Sequence, residues 1–200
     1  MAYTAADVKT LRERTGAGMM TCKKALEETS GDMDKAITLL KEQGIATAGK
    51  RASKEASQGI VDAYIHAGGK VGVLVELNCE TDFVAKTDEF KTLAREIAMQ
   101  VAAMSPEVVS PDDISQERKD EEERIFRQRS IDEGKPERAI EGIVKGRMAK
   151  LFSQLCLLDQ PYMRDDSRTI QDLVNETTGR LGERIVVRRF ARFAIGEAGR

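Results

Sequence analysis

Tryptophan is absent from the sequence, histidine occurs once, at His66, and cysteine three times, at Cys22, Cys79 and Cys156. Each scarcity excludes something. One histidine and no close cysteine pair leave a zinc site without a ligand set, so no metal is expected. A hydrolytic triad would have to rest on His66, which lies in a β-type run where a lone histidine is structural or simply exposed. Three well-separated thiols make no disulfide framework and suit a reducing compartment. No apolar run approaches membrane-spanning length, and the opening MAYTAADVKT has neither the basic start nor the apolar core of a signal peptide. A cytoplasmic protein with no membrane partner is expected. A charge excess is missing too: 32 basic residues stand against 34 acidic, a formal net charge of -2. A protein that held nucleic acid by neutralising phosphates would be basic on its binding domain, so no direct nucleic-acid partner is expected.

Signatures of small-molecule chemistry fail in the same way. Gly16-Ala17-Gly18 begins like a dinucleotide fingerprint, but it follows a helical pattern, and Thr21 stands where the last glycine belongs. Gly68-Gly69-Lys70 is too short for a phosphate loop and reads as a turn between strands. There is no G-x-S-x-G elbow, and Asp165 and Asp166, flanked by Arg164 and Arg168, read as a solvated charged loop. No catalytic residue, no cofactor and no enzyme activity are expected.

What is present is pattern. Thr4 with Asp7 makes a capping box ahead of Val8 and Leu11, and the Gly16-Ala17-Gly18 break follows. Cys22, Ala25 and Leu26 mark a second helix that stops near Gly31. Asp32 caps a third, with Met33, Ala36, Ile37 and Leu40 as its stripe and an end near Gly44. Of these, Val8, Leu11, Ala25, Ile37 and Leu40 are expected core. Residues 46–58, ATAGKRASKEASQ, read as a linker that is helical in part. Two β-type runs, Gly59 to His66 and Lys70 to Asn78, meet at Ala67-Gly68-Gly69, a hairpin signal. The second run is apolar on both faces for part of its length, so both faces need covering. Phe90, Leu93, Ala94, Ile97, Ala98 and Val101 then fall on one helical face. Ser115 to Glu133 reads as a charged helix anchored by Ile125 and Phe126. Pro136 opens another helix, which carries Ile140, Ile143, Val144, Leu151 and Leu155 inward and ends at Gln160-Pro161. Thr169 to Thr178 reads as a short helix stopped at Gly179, and Arg184 to Ile195 as a third strand. The fold class is α+β: a three-helix bundle over residues 1–45, the linker, and a small antiparallel sheet packed with helices over residues 59–200.

One segment stands apart, Asn78-Cys79-Glu80-Thr81-Asp82-Phe83-Val84-Ala85-Lys86, between a strand end and a helix start. Two readings of it remain open. Phe83 precedes Phe90 by seven residues, in phase with its stripe, so an early helix start would bury it with Asp82 as a cap. Alternatively, an acid and an aromatic on a rigid corner form a wedge for a partner's pocket.

The segment from Glu76 through Lys86 closely resembles the signature of the elongation factor Ts family. Leu11-Arg12-Glu13-Arg14-Thr15-Gly16-Ala17-Gly18-Met19-Met20, continuing through Lys23-Lys24-Ala25-Leu26, is similar to that family's N-terminal domain, a ubiquitin-associated-type three-helix fold. Gly134-Lys135-Pro136, Gly146-Arg147, Leu157-Leu158-Asp159-Gln160-Pro161 and Gly182-Glu183-Arg184-Ile185 through Phe190 extend the likeness along the chain. The resemblance implies a guanine-nucleotide exchange factor that acts on elongation factor Tu. It further implies that the head docks on the partner's GTPase domain through Arg12, Met19 and Met20. Thr81, Asp82, Phe83 and Val84 would reach its magnesium site and displace the ion. Short members of the family are dimeric, which implies a homodimer and makes residues 59–200 a dimerisation domain as well as a core. Some of them carry a cysteine in the last strand where this chain has Ala191 between Phe190 and Phe193, so no disulfide can join two copies there. The competing class is a non-catalytic adaptor, which would bind a partner without changing any nucleotide-release rate.

Overall fold

The computed structural model describes residues 3–197; the outermost residues of the two expected domains, 1–2 and 198–200, lie outside the described residues. The N-terminal bundle consists of α1 (Ala5–Thr15), α2 (Met19–Glu28) and α3 (Met33–Arg51). The capping box forms as the sequence demands. The Thr4 hydroxyl accepts the Asp7 N–H at 3.3 Å, and the Asp7 carboxylate accepts the Thr4 N–H at 2.7 Å. At the other end Gly16 takes φ +68°, a left-handed stop open to glycine, and donates its N–H to the Arg12 carbonyl. Asp32 caps α3 by accepting the Lys35 N–H at 3.0 Å. Val8, Leu11, Cys22, Ala25, Leu26 and Ala36 form the bundle core, with Met33, Ile37 and Leu40 partly buried around it.

Strands β1 (Gln58–Ile65) and β2 (Val71–Cys79) form the expected hairpin, and Gly68 and Gly69 turn it at positive φ. Helices α4 (Asp82–Ala85) and α5 (Asp88–Met104) follow. Next come α6 (Gln116–Asp132) and α7 (Glu137–Leu155), which pack as a helical hairpin. A small ribbon, β3 (Pro161–Tyr162) with β4 (Asp165–Thr169), leads to α8 (Ile170–Leu181) and β5 (Val186–Ala194). The main sheet has the order β1-β2-β5, with β2 central. The Ile195 N–H donates to the Lys70 carbonyl, so the end of β5 meets the start of β2 and the two run antiparallel. On β2, Val73, Val75, Leu77 and Cys79 are buried at alternate positions. Phe90, Leu93, Ala94, Ile97, Ala98 and Val101 of α5 are likewise buried, each large side chain contributing about 1.5–3 kcal/mol.

Several boundaries differ from expectation for identifiable reasons. Gly44 and Gly179 stop neither helix. α3 runs on to Arg51, taking in the start of the expected linker, and α8 runs to Leu181, where Gly182 at φ +72° ends it. The two glycines instead meet where α3 and α8 cross: a Cβ on Gly179 would sit 2.9 Å from the Gly44 Cα. Helix α7 ends at Leu155 rather than at Gln160-Pro161, because Cys156 bridges to Val108 as a short parallel pair. Pro136 is the cap of α7 rather than its first residue. Asp165 begins β4 instead of lying in a free loop, and its carboxylate accepts the Ser167 hydroxyl at 2.6 Å and the Arg168 Nε at 2.7 Å.

The chain divides into two compact units. One comprises Met1–Val61, Glu76–Ala94 and Asp172–Val186; the other comprises Asp62–Val75, Arg95–Gln171 and Val187–Arg200. The first contains the helical head, α4 and α8, and the second contains the α6–α7 hairpin and the β3–β4 ribbon. Among the described residues no helix is long and apolar enough to cross a membrane.

Candidate partner-contact site

Thr81 to Val84 lie at the corner where β2 gives way to α4. Thr81 is extended and serves as the N-cap, its hydroxyl accepting the Val84 N–H at 3.4 Å. Asp82 and Phe83 open the helix, and both are exposed, Phe83 to 79%. The burial of Phe83 by phase with Phe90 is therefore overturned. α4 ends at Ala85, and Lys86 and Thr87 separate it from α5, so the seven-residue phase does not carry across. Ala85 turns inward in its place, and Val84 is half-buried. The cap is Thr81 rather than Asp82, whose carboxylate accepts from the Lys86 ammonium one turn on.

A large apolar ring held in water is unfavourable unless something else fixes it there, and side chains from distant parts of the chain fix this corner. Glu183 accepts the Thr81 N–H at 3.0 Å and the Thr81 hydroxyl at 2.6 Å. Glu80 accepts the Arg184 N–H at 2.7 Å and the Arg51 guanidinium at 2.8 Å. Arg184 in turn donates to the Lys54 carbonyl at 2.6 Å. Beneath the corner the Cys79 thiol donates to the Thr81 carbonyl at 3.0 Å, and burial together with the Glu183 charge pushes it up to about 11. Glu183 stands 102 residues from Thr81, and no local spacing in the sequence pairs them.

The expected docking residues flank the glycine break of the head. Arg12 lies on the last turn of α1, and Met19 and Met20 on the first turn of α2; all three are exposed, Met20 to 63%. Head and corner belong to the same compact unit. Within it, Arg180 of α8 donates to the Thr15 carbonyl at 3.0 Å and pairs with Glu89 of α5, and Lys41 pairs with Asp172 at 3.0 Å. Of the other singled-out residues, His66 is exposed just past β1, with its Nδ1 2.9 Å from the Tyr64 hydroxyl. The three cysteines are free and buried.

An exposed aromatic and acid on a braced corner, together with an exposed methionine pair, make the kind of surface found in the class of proteins that contact other macromolecules. Comparison with known proteins narrows the class. The family model described as "Elongation factor TS" matches residues 2–197. Elongation factor Ts of Moorella thermoacetica is 58% identical over 193 residues, covering 96% of this chain and 95% of that protein. That of Thermoanaerobacter sp. strain X514 is 55% identical, covering 95% and 93%, and that of Heliobacterium modesticaldum is 53% identical, covering 97% and 90%. The chain belongs to the elongation factor Ts family and is a translation elongation factor.

Proposed function

We propose that this protein is the guanine-nucleotide exchange factor of elongation factor Tu, and that it works by displacement rather than by making or breaking covalent bonds. The observation that carries the reading is Phe83, held 79% exposed on a corner that other side chains brace. In the proposed complex Arg12, Met19 and Met20 dock the head on the partner's GTPase domain. Thr81 to Val84 enter beside its magnesium site, with Asp82 and Phe83 leading. Mg²⁺ requires near-octahedral oxygen ligation and bridges protein to nucleotide, so a small displacement of its surroundings weakens both contacts at once. Linkage makes the effect reciprocal: a factor that loosens GDP is itself loosened by GDP. Such a role belongs in the cytoplasm and needs no cofactor.

Stopped-flow release of fluorescent GDP from the partner tests the reading. Wild-type protein should accelerate release, and Phe83→Ala should lose most of that acceleration while still binding. Binding without acceleration by the wild type would replace the exchange reading with that of an adaptor.

The outer face of the sheet supports a second element of the proposal, a homodimer. Ile65, Leu74, Phe193 and Ile195 are all exposed, Phe193 to 69% and Ile195 to 79%. α5 occupies the opposite face, where Arg192 donates to its Ala102 carbonyl and Arg95 stacks 4.8 Å from the Tyr64 ring centre. A second copy would cover the apolar side.

A further inference from the structure

What holds Phe83 outward lies outside α4 itself. A helix of one turn has almost no stability of its own, since nucleation costs more than its few hydrogen bonds return. Beyond Cys79 the ladder of β2 has ended, and side chains take over the pairing with the residues just before β5. Glu80 takes the Arg184 N–H, and Thr81 gives its own N–H to Glu183, so side chains continue the antiparallel approach of β2 and β5 past the strand ends.

We propose that Glu183 is the positioning residue of the exchange wedge, its carboxylate fixing Thr81 and thereby the direction in which Asp82 and Phe83 leave the protein. The proposal rests on the exchange reading of that corner. A hydroxyl has one proton to give. Thr81 gives its proton to Glu183 at 2.6 Å, which leaves a lone pair to cap the Val84 N–H at 3.4 Å. The same carboxylate holds the Thr81 backbone at 3.0 Å, so one group sets both the cap and the chain direction entering it. Hydrogen bonds to an ionised acceptor are shorter and stronger than neutral ones, which suits a group that must hold an exposed ring in place. Arg51 and the Arg184 N–H fix the neighbouring Glu80, which leaves Thr81 as the last residue braced before the exposed pair.

The test measures fluorescent GDP release against concentration of the factor for the wild type, Glu183→Ala, Glu183→Gln and Phe83→Ala, each with a thermal melt. Glu183→Ala should lower the maximal release rate by about tenfold, a loss of about 1.4 kcal/mol in the barrier difference. Its half-saturating concentration should stay within about twofold of wild type, because the docking face of the head is untouched. Glu183→Gln keeps one acceptor oxygen for the Thr81 N–H and should recover part of the rate; it also serves if the alanine variant does not fold. A Glu183→Ala maximal rate near wild type, with Phe83→Ala inactive, would overturn the positioning role and leave the exchange reading standing. Unimpaired release by Phe83→Ala would remove both. Equal falls in rate and affinity with both Glu183 variants, in step with loss of folded protein, would reduce Glu183 to a general structural role.

Discussion

Two phenylalanines seven positions apart have opposite fates, one packed and one in solvent. Phe90 is fully buried and Phe83 is 79% exposed. Truncating Phe90 to alanine should cost about 3–5 kcal/mol, as buried aromatic losses do. Phe83→Ala should change stability by no more than about 0.5 kcal/mol, as surface changes do. Parallel urea titrations of the two variants check this, and a large loss for Phe83→Ala would return that ring to the core. The thiols give a second residue-scale expectation. Burial raises Cys22, and it pushes Cys79 and Cys156 up to about 11, so at pH 8 the folded protein presents almost no thiolate. A disulfide exchange reagent should therefore react slowly with native protein and with all three thiols after denaturation. Fast native labelling of Cys79 would mean that the corner opens on the timescale of the reaction.

At the scale of elements, the crossing of α3 and α8 leaves no room for an added side chain. Alanine normally gains about 1 kcal/mol over glycine inside a helix. At Gly179 the added methyl would stand 2.9 Å from the Gly44 Cα, so overpacking of about 1–3 kcal/mol should outweigh that gain. At Gly146 of α7 an added methyl would meet nothing within 4 Å, and Gly146→Ala should stabilise by about 0.5–1 kcal/mol. Thermal melts of the two variants should thus move in opposite directions.

These glycines also mark how far the sequence is legible. Caps, stripes and the hairpin turn depend on neighbours in the chain, and Thr4, Asp7, Asp32 and Gly68-Gly69 are readable for that reason. A glycine that ends a helix and one that lets another helix approach look alike until the partner is known, so Gly44 and Gly179 read as stops. The corner divides in the same way. Thr81 to Val84 stand out locally, but Glu183, Glu80 and Arg51 act across the fold and leave no periodicity to find.

The caps of the head have a pH dependence whose sign is fixed. Asp7 is held below its ordinary value, chiefly by the Thr4 backbone N–H, and Asp32 chiefly by that of Lys35. A carboxylate lower in the folded than in the unfolded state contributes stability above the unfolded value, near 3.9. That contribution is lost as pH falls through the folded values. The melting difference between wild type and Asp32→Ala should therefore be full at pH 7 and shrink as pH drops from about 5 toward 2. A difference independent of pH would assign the cap to helix propensity alone.

At the scale of the whole molecule, the outer sheet face carries exposed apolar side chains that a second copy would cover. Ile65 and Leu74 lie on one side of the hairpin, where a Cβ on Gly72 would meet Ile65 Cδ1 at 3.0 Å. On β5, Phe193 points opposite to Arg192, which faces α5, and so joins that side. Exposed apolar side chains clustered in this way mark an interaction surface more often than bare solvent boundary. A net charge of only -2 places little repulsion between two copies. With alanine at position 191, the association proposed here is purely non-covalent. It should therefore depend on concentration and not on reductant. Sedimentation velocity should find a dimer that survives dithiothreitol and dissociates on dilution. Phe193→Lys, which sets like charges against each other across a two-fold axis, should be monomeric while keeping its fold. If the wild type remains monomeric up to about 100 μM, well above the micromolar range in which a modest interface forms, a second copy is not what this face binds.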